Sequence, residues 1–369
     1  LDVILPGSPI YSALEGSVPA PGKTYELQAQ IVEAEEKKRI NTLIGERRTR
    51  IGARVAEVTV ETKREVYSQS RLLEIYQNVI NWATDDDVRR TYEEKQLQYC
   101  YDRMLAWPPG EQKDQEAATV RRLANDMVII RHPFKFAWDI AINWQDNKEV
   151  KEWDPAVLRQ YCTFFPDSDL SRVIMGYLTS EVSPFPKGSA QPTQQATPEE
   201  SDEDESEDDE GGGVPTTYVP LTEEDRLAMF MEGSSGADSL FAMRLTAEYY
   251  LHIEEHEMNA ELMRKAIEHL KLERSRTGFR FQYTDDAFSL ALGTSLVFYQ
   301  SPRHHQEAKA LFDKVLSHDP SSTPALIGVG LIYEEEEEYT EAIDFLERAL
   351  QRDPSNLRVR TEAAWVKAL

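Results

Sequence analysis

Residues 289–322, SLALGTSLVFYQSPRHHQEAKALFDKVLSHDPSS, and residues 323–356, TPALIGVGLIYEEEEEYTEAIDFLERALQRDPSN, are two copies of one pattern set 34 residues apart. In the second copy Leu326, Val329, Gly330 and Tyr333 are followed by Ala342, Leu346, Ala349 and Pro354. In the first copy the same places hold Leu292, Ser295, Leu296, Tyr299, Ala308, Phe312, Val315 and Pro320. Steps of three and four residues put the first four side chains on one face of a helix and the next three on one face of a second. Gly330 and Ala342 are small where those two helices must approach closely. Pro354 cannot continue a helix and ends the unit after Asp353.

Leu-x-x-Val-Gly-x-x-Tyr, then Ala-x-x-x-Leu, then Pro is the tetratricopeptide pattern, with Leu326 where Trp is usual. Such a hairpin cannot bury its apolar face alone and needs a neighbour on each side. The expected fold class is therefore all-α, an α-solenoid of tetratricopeptide-like helical hairpins interrupted by an acidic disordered linker. Clear repeats occupy 289–322 and 323–356, and a divergent hairpin occupies 240–272. In that hairpin Met243, Ala247 and Tyr250 take the first-helix places, and Met263 and Ala266 the second. Its spacing to residue 289 is 49 rather than 34, which makes 273–286 an inserted segment. A truncated repeat opens at residue 357, so the chain reads as an internal piece of a longer array.

Outward from the repeats, residues 1–23, with Pro6, Pro9, Pro19 and Pro21, read as a connector. Residues 24–182 read as a degenerate domain of helical hairpins. Lys37, Lys38, Arg39, Arg47, Arg48, Arg50 and Arg54 cluster near its start among Ile40, Leu43, Ile44, Ile51 and Val55. A solvated helix face explains them better than an RNA site, because no aromatic side chains alternate with the charges. Helices are expected over 71–82 and over 84–105, the second capped by Thr84. Others are expected over 117–132, with Leu123, Met127 and Ile130 on one side, and over 134–144. A further one follows Asp154 and Pro155. Residues 183–220 break the composition. Ten acids fall within 199–210 alone, and so polar a stretch cannot offset a backbone entropy of roughly 1–2 kcal/mol per residue. Ser201 and Ser206 each precede an acid by three residues and are candidate phosphorylation sites. Residues 221–369 form the repeat array, its first helix capped by Thr222.

The formal net charge of −25 repels phosphate backbones, so direct nucleic-acid binding is not expected. No run of eighteen apolar residues exists to span a membrane. Cys100 and Cys162 are far apart and in no metal spacing, which fits buried free thiols in a cytosolic or nuclear protein. His252 and His256 stand four apart, but Ile253 occupies the place where a zinc-protease helix needs Glu. His304 and His305 are expected to face solvent in a turn, and Glu334–Glu338 to form a solvated acidic turn or a contact for a basic partner. No phosphate loop, nucleophile elbow or dinucleotide fingerprint occurs, so neither enzyme activity nor a cofactor is expected. The fifth and ninth places of the clean repeats hold Gly293, Val297, Ile327 and Leu331. None can grip a carboxylate as a chaperone-binding clamp does. The groove they line is apolar and suits a helix, an apolar peptide or an adjacent repeat.

Whole segments carry a further resemblance. ERRTRIGAR at 46–54, Asn81-Trp82, RRTYEEK at 89–95, ANDMVII at 124–130, WDIAI at 138–142, SGADSL at 235–240 and Tyr249-Tyr250 are similar to the tetratricopeptide scaffold subunit of the superkiller complex, in a filamentous-fungus version. The resemblance implies a non-catalytic scaffold carrying a DExH RNA helicase subunit and WD40 subunits. It implies coupling of that assembly to the cytoplasmic exosome, or its adaptor, for 3′-to-5′ mRNA decay, in the cytoplasm with a nuclear pool. A tetratricopeptide adaptor of another multiprotein assembly is the alternative.

Overall fold

The computed structural model describes residues 71–185, 222–236 and 238–368, together with residues 29, 30, 33 and 42. The connector, the basic stretch around 37–54, nearly all of the acidic stretch, and Ser201 and Ser206 lie outside the described residues. Among the described residues there are fourteen α-helices, one 3₁₀ turn and no strand. The fold is all-α, an α-solenoid of stacked hairpins. It divides into two packed units, residues 1–145 with 270–281, and residues 146–269 with 282–369.

The first unit holds α1 (Arg71–Trp82), α2 (Asp86–Ala106), α3 (Glu111–Ile129) and α4 (Lys135–Asn143), each packed on the next. Its core joins Leu72, Ile75, Tyr76 and Val79 to Tyr92, Tyr99 and Ala106. The ring of Tyr76 meets those of Tyr92 and Tyr99 edge-on at 5.6 and 6.2 Å, the preferred geometry for aromatic quadrupoles. A buried ion pair, Arg103 with Glu116, ties α2 to α3. The sequence expectations need three corrections here. The cap of α2 is Asp85, whose carboxylate accepts the Asp87 N–H at 3.0 Å; Thr84 stands one residue outside. Ile130 is 61 % exposed, because the buried stripe of α3 runs Ala117, Val120, Ala124 and Met127. That helix begins at Glu111, six residues before the expected start.

The second unit starts with a 3₁₀ turn (Val150–Glu152), α5 (Pro155–Phe164) and α6 (Asp169–Leu178). It continues beyond the acidic stretch with α7 (Glu223–Gly236), α8 (Leu240–His252) and α9 (His256–Thr277), of which residues 270–277 belong to the first unit. Then come α10 (Gln282–Phe298), α11 (His305–His318), α12 (Thr323–Glu335), α13 (Tyr339–Arg352) and α14 (Leu357–Ala368). Asp154 caps α5 with Pro155 in its first turn. Thr222 and Asp225 cap α7 reciprocally: Thr222 Oγ1 accepts the Asp225 N–H, and the Asp225 carboxylate accepts the Thr222 N–H. Those bonds hold the Asp225 carboxyl below its usual range.

Packing in this unit runs straight across the acidic stretch. A Cβ on Gly233 of α7 would meet Val173 Cγ2 of α6 at 2.6 Å, so only glycine admits this approach. Phe230 stacks on Tyr249 at 4.2 Å. Arg244 of α8, buried, donates to the carbonyls of Asn147 and Lys148 at 2.6 and 2.7 Å. Tyr177 donates to Glu248 at 2.5 Å, a carboxyl that burial pushes above its usual range. Described residues on both sides of the acidic stretch thus belong to the second unit, and the divisions between units fall after residues 145, 269 and 281.

Hairpins close by one repeated device. Arg131, Glu254 and Glu337 each follow a helix with φ near +60° (57°, 60° and 61°). In each case the next N–H reaches back to the last turn: His132 to Met127, Glu255 to Tyr250 and Glu338 to Tyr333, all at 2.9 Å. This left-handed closure satisfies helix-end carbonyls that would otherwise be orphaned. The expected insertion at 273–286 is instead helix for most of its length. α9 continues to Thr277 and α10 begins at Gln282, so the 49-residue spacing comes from longer helices joined by a short turn.

Candidate functional site

The first helices α8, α10 and α12 pack in succession, and α10–α11 and α12–α13 are the two regular hairpins. Leu292, Ala308, Phe312, Leu326, Ala342, Leu346 and Ala349 are all buried. Pro320 and Pro354 lie exposed in the turns between hairpins. Leu326, Ala342, Leu346 and Ala349 form one cluster with Val359, Ala363 and Val366 of α14, so the seam continues from one hairpin to the next. A Cβ on Gly330 would stand 3.0 Å from the Leu346 side chain. Tyr333 is half-buried, stacked on Phe345 at 5.7 Å, and its hydroxyl accepts from Lys309 Nζ at 2.6 Å. Tyr299 donates to Glu257 at 2.8 Å. These side chains pack the helices of the hairpins against one another.

Sequence reasoning placed Gly293 in the groove and passed over Gly328, yet both set how closely α10 and α12 approach α11. Gly293 of α10 and Gly328 of α12 face the ring of Phe312 from α11. A Cβ on Gly293 would lie 2.8 Å from that ring, and one on Gly328 nearer still. The register marked Gly330 and passed over Gly328, because only the path of the Phe312 ring shows where space runs out. Asn259 of α9, fully buried, donates to Ala291 O at 3.2 Å and to Ser295 Oγ at 2.8 Å, pinning the preceding helix to α10.

A cavity of about 740 Å³ opens where α10, α12 and the start of α14 meet. Leu251, Val297, Phe298, Pro324, Ile327 and Leu331 make its apolar wall, and Glu254, Asp353 and Arg358 supply charge at its rim. This volume is in the range of pockets that accept a small ligand or several peptide side chains. His256 stacks on Phe298 at 5.0 Å, and the Arg358 guanidinium lies 6.0 Å from the same ring. Burial holds the His256 pKa below its ordinary value. His252 ends α8 and His256 begins α9, so the pair does not share a helix. His305 corrects a further expectation. It is 2 % exposed, opens α11 and lies 3.0 Å from Ser301 Oγ, while His304 stacks on Tyr299 at 6.0 Å. Among the described residues no group of His, Cys, Asp and Glu is placed to hold a metal, and no helix is long and apolar enough to cross a membrane.

Hairpins with this register and seam define a helical-repeat protein. Residues 6–93 and residues 303–361 each match the tetratricopeptide repeat family; the first match begins inside the stretch read as a connector. Over 358 residues the chain is 29 % identical to Superkiller protein 3 of Schizosaccharomyces pombe, covering 94 % of this chain and 26 % of that protein. Over 342 residues it is 23 % identical to Superkiller protein 3 of Saccharomyces cerevisiae, covering 82 % and 24 %. The chain thus spans about a quarter of the length of the curated relatives it matches. Two of its segments thus match the tetratricopeptide repeat family, and over most of its length the chain resembles Superkiller protein 3. Among solved structures, yeast Tom70 aligns at a TM-score of 0.37 and 12 % identity, over 94 % of this chain and 59 % of that one, a likeness too loose to bear on how the hairpins are arranged.

Proposed function

We propose that the chain is a non-catalytic scaffold segment of a superkiller-type assembly. Its stacked hairpins hold a DExH RNA helicase subunit and WD40 subunits at fixed spacing and couple them, in the cytoplasm, to the exosome or its adaptor for 3′-to-5′ mRNA decay. The observation that carries this reading is the similarity to Superkiller protein 3 across 94 % of the chain. The acidic balance agrees with it, since RNA would then run through the helicase and exosome and not along this surface. Reconstitution tests it. The purified chain is mixed with the helicase and WD40 subunits of a filamentous fungus and resolved by size exclusion. Co-elution is expected, and separate elution of all components would refute the assignment. The apolar groove also supports a second reading, a peptide-binding adaptor of another assembly. Under that reading the chain ignores the helicase and WD40 subunits but binds a short apolar segment of a different partner.

A further inference from the structure

The groove continues beyond the cavity. The ninth places of successive repeats are Val297, Leu331 and Trp365, each 34 residues after the last. The first two line the cavity. Trp365 is 58 % exposed and stands two turns along α14 from Arg358, which also lines it. Trp and Arg side chains beside an apolar wall are among the residue types that carry binding energy at protein interfaces.

The charge beside this wall is mostly negative. Glu334 lies three residues beyond Leu331 and seven beyond Ile327, on the groove face of α12. Its Oε2 is buried and has no hydrogen-bond partner. Burial, and then the charges of Glu362 and Glu335, push its carboxyl above the usual range. Glu362 sits between Arg358 and Trp365 on α14. Glu254 and Asp353 add to the rim, and across 282–368 acidic side chains outnumber basic ones. Arg358 opposes this charge, but its guanidinium is turned over the Phe298 ring.

We propose that this groove docks a segment of another protein whose apolar side chains are flanked by Lys or Arg. The apolar residues pack on Val297, Ile327, Leu331 and Trp365, and a cation offsets the adjacent like charges of Glu334 and Glu362. The inference rests on the reading of the chain as an interaction scaffold and adds the chemistry of one partner.

Three short fluorescent peptides test it. They share one apolar sequence, with the charged places all Lys, all Gln or all Glu, and their anisotropy is followed on the whole chain. The all-Lys peptide is expected to bind tightest and the all-Glu peptide not at all. The double variant Glu334→Gln and Glu362→Gln, which keeps side-chain size and removes both charges, should weaken the all-Lys peptide roughly fivefold and leave the all-Gln peptide unchanged. Trp365→Ala should weaken all binding by more than about tenfold. Equal binding of the three peptides would leave the groove as a docking site and overturn the basic occupant. No binding by any peptide would overturn the docking site itself, while co-elution with helicase and WD40 subunits would still stand for the scaffold. Sedimentation showing a Trp365-dependent dimer would assign the face to a second copy and overturn the proposal.

Discussion

The ring of Phe312 occupies the space where a side chain on Gly328 would begin. Phe312 comes from the second helix of one repeat and Gly328 from the first helix of the next, so this contact sets the distance between repeats. The ring is fully buried and has no room to withdraw, since Gly293 faces it as well. Gly328→Ala is therefore expected to destabilise the array by about 1–3 kcal/mol through overpacking. Urea unfolding of the variant checks it, and an unchanged midpoint would show that the helices can separate without cost.

Asp146 acts on a helix far from it in sequence. Its Oδ1 accepts from the Thr284 N–H at 2.7 Å and the Thr284 hydroxyl at 2.8 Å, and its Oδ2 from the Tyr283 N–H at 3.1 Å. It thereby satisfies N–H groups that the first turn of α10 leaves open. Asp146→Ala is expected to cost about 1–2 kcal/mol, and Asp146→Asn less. Faster amide exchange at Tyr283 and Thr284 in the alanine variant, with little change elsewhere in α10, would locate the effect.

The left-handed closures offer a stabilising change. Glu337 holds φ 61°, a conformation that costs a residue with a Cβ roughly 1–2 kcal/mol. Glycine removes that cost but loses more entropy on folding. Glu337→Gly should thus raise stability by about 0.5 kcal/mol, read as a small rise in melting temperature. A fall would mean that the Glu337 side chain contributes more than its backbone conformation costs.

Protonation of His256 should weaken the repeat array. Its folded pKa lies below the ordinary 6.5, first through burial, with Arg358 acting the same way and Glu254 and Glu255 opposing. Folding therefore favours the neutral ring. Its contribution is present above the unfolded value and is lost as pH falls through the lowered one. Melting temperature is expected to decline on acidification from about pH 7 to pH 5. His256→Gln should flatten part of that decline; a curve parallel to the parent would dismiss the effect.

Burial pushes the thiols of Cys100 and Cys162 up to about 12. Since the thiolate is the reactive form, neither should react with a disulfide reagent at neutral pH in the folded chain, and both should react in urea. Rapid labelling of the native protein would show that one of them is open to solvent.

The sequence by itself determined the helical class, the hairpins and their phase. A three- and four-residue rhythm of apolar side chains is a local property, and Pro320 and Pro354 punctuate it. Local chemistry also announced the caps at Asp154 and Thr222. Where a local signal had a near neighbour it misled: Thr84 and Asp85 both suit a cap, and only the backbone path chose Asp85. Tertiary structure alone decided the rest. Burial of His305, the need for glycine at 328, the capping of α10 by Asp146 and the packing of α6 on α7 across the acidic stretch all depend on groups distant in sequence meeting in space. No periodicity records such a meeting. The groove too is a product of stacking: Val297, Leu331 and Trp365 are only three apolar residues until successive hairpins align them.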